Sequence, residues 1–443
     1  MPTTLFSCGS NAFSHLALDH ANDVSVLTPT SFHPSVPFDP DNIDVIDVVS
    51  ASSHSLLLCS IPQSGNDDRR RNILLGVGTN TFGQLGPRCA LWKDIKPDGR
   101  WKMLDLAPSI EEGKVWEPVK IAATWTTSFI VYRKVYEQHL DRQGSESKIN
   151  ETSMTEMIVS CGSNDFGELG GLFPLTLSNT PLPVSISQAS QKPSLVDVGL
   201  ESGETVEFIR GGQRHIVSVI NGKTGQRVIG WGASRKGELS VASLSTNQKS
   251  QSTTSVKAKG KAKASPYPAI SPPKIIPLPI PPGVCIVDLA LGASHTLILL
   301  SDGTVLGWGS NLKGQITDIH QYHAVKGIAA TWGGSYIHTA KGLYSQGSNT
   351  HSQLLRDDTA QTSRVEMPTG WEVERIVAGS EHLLALARKG EEVQLFTGGW
   401  NEHGNLALGD QRDRAALTQV DLEKYKVRQL WAGCASTWML QKT

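Results

Sequence analysis

Two short patterns of apolar and small residues take turns along this 443-residue chain. One reads "VVSASSHSLLL" (48–58), "IAATWTTSFIV" (121–131), "IRGGQRHIVSV" (209–219) and "LALGASHTLIL" (289–299). It continues as "IAATWGGSYIH" (328–338), "IVAGSEHLLAL" (376–386) and "LWAGCASTWML" (430–440). Apolar runs on both sides of a small-residue turn predict two strands joined by a hairpin. The other pattern alternates with it: "LFSCGSNAFSHL" (5–16), "LGVGTNTFGQLG" (75–86), "VSCGSNDFGELG" (159–170) and "IGWGASRKGELS" (229–240). Its last three copies are "LGWGSNLKGQIT" (306–317), "YSQGSNTHSQLL" (344–355) and "FTGGWNEHGNLALG" (396–409). Here a strand ends on Gly, and a second turn holding Gly and Leu comes after it.

The glycines that close these strands are Gly9, Gly78, Gly162, Gly232, Gly309, Gly347 and Gly398, with spacings from 38 to 84 residues. The shortest spacing is the bare unit and suits four strands of roughly 5–6 residues with their turns. A repeat of that size, made only of strands, predicts a β-propeller, in which each small sheet buries its faces against its neighbours. Seven copies predict seven blades, so the whole chain, 1–443, reads as a single all-β domain with long loop insertions. The first copy of the Gly pattern has no His-type partner before it, and the last His-type copy has no Gly pattern after it. Residues 5–11 should therefore pair with the strand at 430–440 and close the ring, removing two exposed sheet edges.

These motifs resemble the repeat of the regulator of chromosome condensation family, most closely in "GWGSNLKGQ" (307–315) and "AGSEHLLAL" (378–386). Within that family, "IAATWTTSFIV", "IAATWGGSYIH" and "GWGASRKGEL" resemble the fungal sub-group of alpha-tubulin suppressor, or killer-toxin-insensitivity, propellers. The resemblance implies a non-catalytic accessory protein that binds a small zinc-binding, electron-carrying partner. That pair would serve wobble-uridine modification of transfer RNA and diphthamide synthesis, an indirect link to the tRNA-modifying machinery. The broader family implies an alternative, guanine-nucleotide exchange on a small GTPase, for which no residue here matches an acidic wedge. A hydrolase or lyase of another propeller family is disfavoured by the lack of an acid/base or metal pattern.

Composition narrows the rest. Hydrophobic content of 39% and charged content of 19% fit a folded domain with a large core. A net charge of −1 argues against a surface built for nucleic acid or anionic lipid, and direct nucleic-acid binding is not expected. No run approaches the ~20 apolar residues of a membrane span. The six cysteines form no C-x-x-C pair, which predicts reduced thiols in the cytoplasm, with the nucleus as a second compartment. No HExxH, Gly-x-Ser-x-Gly elbow or Walker loop is present, so neither catalysis nor a cofactor is expected.

Several side chains stand out against the repeat. His54, His215, His295 and His382 share one repeat position. They could converge on a metal, but Thr127, Gly334 and Ser436 occupy that place in the other blades, so the expected role is hydrogen bonding within or between blades. In two copies the turn reads Thr124-Trp125 and Thr331-Trp332, which should put an indole at one mouth of the propeller, a residue type enriched at binding hot spots. The competing reading is that each indole fills space left by the absent His; Trp438 is expected in the core. Arg210, Arg214 and Arg235 lie in or beside blade turns and would suit an acidic partner or a phosphate backbone. With Trp125 and Trp332 they are the candidate partner-binding residues. Residues 133–155 read as a flexible insertion, and 240–283, rich in Ser, Lys and Pro, as a disordered one whose Pro-rich end is extended. The insert at 87–118, with Trp92, Trp101 and Trp116, should pack as an ordered loop.

Overall fold

A computed structural model describes residues 4–63, 66–87, 98–107, 114–136, 155–171, 193–241, 265–356, 363–422 and 426–442. Among them the chain forms seven antiparallel sheets, each a blade. Blade 1 joins the two ends of the chain: Leu5–Gly9 lies between Val24–Pro29 and Ser436–Lys442, with Lys426–Gly433 innermost. Leu5 faces Leu440 and Gly9 faces Ser436, so the expected closure is present in that register. Blades 2 to 7 follow in chain order, with inner strands Asp44–Ser50, Lys114–Ala123, Thr205–Gly211, Ile286–Leu291, Val325–Ala330 and Glu372–Ala378. Blade 5 has three strands where the other six have four.

The hydrophobic core is divided into seven clusters, each spanning two neighbouring blades. Phe129 and Val131 of blade 3, for example, pack with Ile209 and Ile216 of blade 4. Alternating side chains of one strand face opposite blades, as Leu56 and Leu57 do. A single repeat therefore buries neither face, which is why the string must be copied.

Polar latches tie the blades together. His54 Nε2 lies 2.8 Å from Ser128 Oγ of the next blade, and His215 Nε2 3.3 Å from Thr296 Oγ1. His295 Nε2 lies 3.1 Å from Ser335 Oγ, and His382 Nε2 3.1 Å from Thr437 Oγ1. In each case the hydroxyl belongs to the residue just after the His position of the next blade. Where that residue is apolar, Ile216 or Leu383, the preceding blade carries Thr127 or Gly334 instead of His. At the seventh joint Ser436 and Ser55 both bond Ser50 Oγ, at 3.0 and 2.9 Å. The four histidines are spread around the ring as joints and do not converge.

The strand-closing glycines have φ between +99° and +132°. In the seventh blade the residue opposite His382 is Gly399, not Gly398, which corrects the spacing read from the sequence. At Gly78, φ is +107° and a Cβ would collide with the Ser53 carbonyl. Gly78→Ala should therefore cost about 3 kcal/mol or more. A chemical-denaturation midpoint unchanged from the parent chain would contradict this.

The insertions differ in part from expectation. Trp101 is fully buried against Trp438, with ring centroids 5.7 Å apart, and Trp116 is partly buried; Trp92 lies outside the described residues. Residues 133–136 belong to the strand Thr127–Tyr136, where Arg133 pairs with buried Glu156 at 2.7 Å; 137–154 lie outside the described residues. In 240–283 the Pro-rich end is ordered: Ile270–Ile275 is the outer strand of blade 4, and Ile276 is buried beside it. Residues 242–264 lie outside the described residues.

Candidate docking site at one mouth of the channel

The turns between inner and second strands gather around one mouth of the central channel, and their backbones interlock. Trp125 N donates to Gln213 O (3.1 Å), Ala293 N to Trp332 O (3.0 Å) and Trp332 N to Ser380 O (2.7 Å). Ser380 N donates to Gly433 O (3.1 Å), Cys434 N to Ser50 O (3.2 Å) and Ser52 Oγ to Trp125 O (2.8 Å). Both tryptophans are thus fixed at their main chains by turns from other blades.

Local sterics explain the departures in the two Trp turns. At Gly212, Gly292 and Gly379 a Cβ would strike the same blade's His ring. In blades 3 and 6 the ring is absent, and Thr124 and Thr331 occupy that position, both buried. Gly334 completes the exchange, since a Cβ there would sit 2.9 Å from Thr331 Oγ1. The two threonines are buried at this position, whereas the indoles next to them remain partly exposed.

Trp125 and Trp332 project from opposite sides of the ring and meet across the mouth. Their centroids are 5.4 Å apart with planes inclined by 40°, and both remain partly exposed. Arg214 completes the cluster. Its guanidinium lies 5.3 Å from the Trp125 ring and 4.6 Å from Phe166, which is 39% exposed. Glu168 Oε1 is 3.6 Å away, and burial pushes that carboxyl above the usual carboxylate range. Stacking of this kind holds a flexible cation in one place without consuming all of its donors.

The three candidate arginines do not form one patch. Arg210 lines the channel, a cavity of about 700 Å³ behind the indoles, where its charge acts on Asp47 and Asp288. Asp47 also accepts from Trp431 Nε1 at 2.8 Å, and burial still raises its pKa. Arg235 sits further out, exposed on the turn that follows the blade 4 Gly. Phe166 does not stand out in the repeat; its signal is an aromatic just before the Gly of the second turn, shared by Phe82 and, with Ser14 in place of the Gly, by Phe13. Trp438 is core, as expected. Among the described residues no group of three or more His, Cys, Asp or Glu is placed to hold a metal ion.

The blades define a closed seven-bladed propeller with two partly exposed indoles in contact at one mouth of its channel. Residues 286–315 match the family model described as the regulator of chromosome condensation (RCC1) repeat. Over 146 residues the chain is 27% identical to the ultraviolet-B receptor UVR8 of Arabidopsis thaliana, a match covering 32% of this chain and 24% of that receptor. Human WBSCR16 superposes with a TM-score of 0.65 at 16% identity, covering 100% of both chains. Yeast RCC1 (Prp20), solved bound to Kap60, gives 0.64 at 16% identity, covering 99% of this chain and 89% of that one. The chain thus has the fold of a closed seven-bladed propeller, and one of its repeats, at residues 286–315, matches the regulator-of-chromosome-condensation repeat.

Proposed function

We propose that this propeller is a non-catalytic protein-binding platform whose mouth grips a small protein partner through Trp125 and Trp332, backed by Arg214. The carrying observation is the indole pair itself: two large, partly exposed rings on interlocked turns, in contact across the channel. Such rings are already ordered before binding, so little conformational entropy is lost when a partner covers them. The likeness of the two Trp turns to the alpha-tubulin suppressor sub-group supports a small zinc-binding electron carrier as that partner. On this reading the pair works in transfer-RNA wobble-uridine modification and diphthamide synthesis, in the cytoplasm and nucleus.

Trp332→Ala and Trp125→Ala should each weaken capture of a small zinc-binding partner by about 1–3 kcal/mol, with the melting temperature nearly unchanged. Calorimetric titration against the purified partner measures the first quantity and a thermal melt the second. A lowered melt with intact affinity would reassign both rings to packing. Release of labelled GDP from a panel of small GTPases tests the exchange-factor alternative, and stimulation above background would displace the platform reading.

A further inference from the structure

A second surface lies outward from the tryptophans on the same face. Lys236 Nζ reaches Ser294 Oγ at 3.3 Å, and the neighbouring Ala293 amide is bonded to the Trp332 carbonyl, so this surface is continuous with the mouth. Between the outer turns of blades 4 and 5 runs a groove of about 270 Å³ lined by Tyr267 and Leu312, with Arg235 and Lys236 at its edge. Tyr267 is held in place: its amide donates to Ser265 Oγ (3.1 Å), whose hydroxyl donates to the Arg235 carbonyl (2.6 Å). Its ring packs over Gly237, where a Cβ would come within 3.2 Å of it. Leu312 is 86% exposed, more than any other large apolar side chain among the described residues.

The charge here has one sign. Arg235, Lys236 and Lys313 are exposed, and among the described residues neither Arg235 nor Lys313 has a carboxylate in ion-pair reach. Glu238 is buried, and its carboxylate accepts from the Lys236 amide at 2.7 Å. Ser265, which lines the groove, is preceded in sequence by residues 242–264, which carry Lys249, Lys257, Lys259, Lys261 and Lys263 and no Asp or Glu. That segment has the wrong sign to cover these cations.

We propose that this groove docks an acidic segment of a protein partner. One large apolar side chain seats between Tyr267 and Leu312, and flanking carboxylates pair with Arg235, Lys236 and Lys313. The inference rests on the platform reading and adds a second, chemically distinct contact to it. An apolar anchor in a preformed groove supplies affinity, and the surrounding charges supply encounter rate and register.

The test uses the full chain and a fluorescent peptide of Asp and Glu around a central Leu. Its comparators are the same peptide with Leu replaced by Ala, the Asn/Gln version, and an oligouridylate of equal length. Binding should fall about tenfold or more on either peptide change and on the double substitution Arg235→Glu, Lys236→Glu, and several-fold for Leu312→Ser. Trp332→Ala should leave peptide affinity within about twofold, because the anchor sites are separate. Peptide affinity unmoved by the charge reversal, or tighter binding of the oligouridylate, would overturn the proposal. If the Trp variants lose the purified partner while charge reversal does not, the groove fails and the mouth reading stands. The opposite pattern retains the groove and removes the mouth.

Discussion

A chain lacking residues 1–9 is expected not to fold. Leu5, Phe6 and Cys8 are 4%, 3% and 0% exposed, and they serve two different interblade cores: Leu5 faces blade 2, while Phe6 and Cys8 face blade 7. Losing that burial and the paired strand removes on the order of 5 kcal/mol or more. A domain's whole stability is typically about 5–15 kcal/mol. The deletion also strips Val24–Pro29 of its partner and leaves the edge of Ser436–Lys442 open, so the product should aggregate. A circular permutant separates loss of closure from loss of side chains. Gln441 N donates to Thr4 O at 3.0 Å, so a short linker can join the termini. Reopening the chain in the tight turn where Gly222 pairs with Gly225 leaves every strand in place. That permutant should melt within about 5 °C of the parent. A soluble, cooperatively melting deletion protein would show that the ring does not depend on its closing strand.

Much of this architecture is visible in the chain before folding, because the repeat is imposed by local sterics. A Gly with positive φ opposite the His position recurs in all seven blades, and no other residue tolerates it cheaply. The Trp turns stand out for the same reason, as breaks in a pattern that physical necessity otherwise keeps uniform. What the chain does not reveal is distance around the ring. That Trp125 and Trp332 touch follows from blades 3 and 6 lying on opposite sides of a narrow channel, a consequence of seven-fold closure rather than of either local string. Arg210 and Arg214 are four residues apart yet serve different places. A small turn separates the strand that carries the first along the channel from the His position beside the second. Leu312 and Tyr267 form a groove only because the extended Pro-rich end folds back onto blade 4 as its outer strand.

Acid should open the propeller through its interblade latches. Burial holds the latch rings of His54 and His215 down to about 3 and those of His295 and His382 down to about 4; His15, buried but in no latch, is also held down to about 4. The unfolded chain takes up a proton on each ring near pH 6.5, whereas the folded ring refuses it until the depressed value is reached. Their contribution is therefore complete above about pH 6.5 and is lost progressively from there down to about pH 3–4. Each ring tilts the balance by about 1.4 kcal/mol per pH unit within that window, so five rings together reach about 7 kcal/mol per unit. Buried carboxyls act in the opposite sense. Asp47, Asp288, Glu168, Glu238 and Glu381 are raised by burial, so the folded state gains their protons first and is favoured as pH falls. Substitution of the rings separates the two, because the carboxyl contribution is common to parent and variant. His215→Gln and His382→Gln should each be less stable than the parent at pH 7.5, having lost a latch. Each should also flatten the dependence of unfolding free energy on pH between 6.5 and 5 by about 1 kcal/mol per unit. Urea titrations across that range measure the slope directly, and a slope equal to the parent's would mean that the rings are protonated in the folded ring and that acid acts elsewhere.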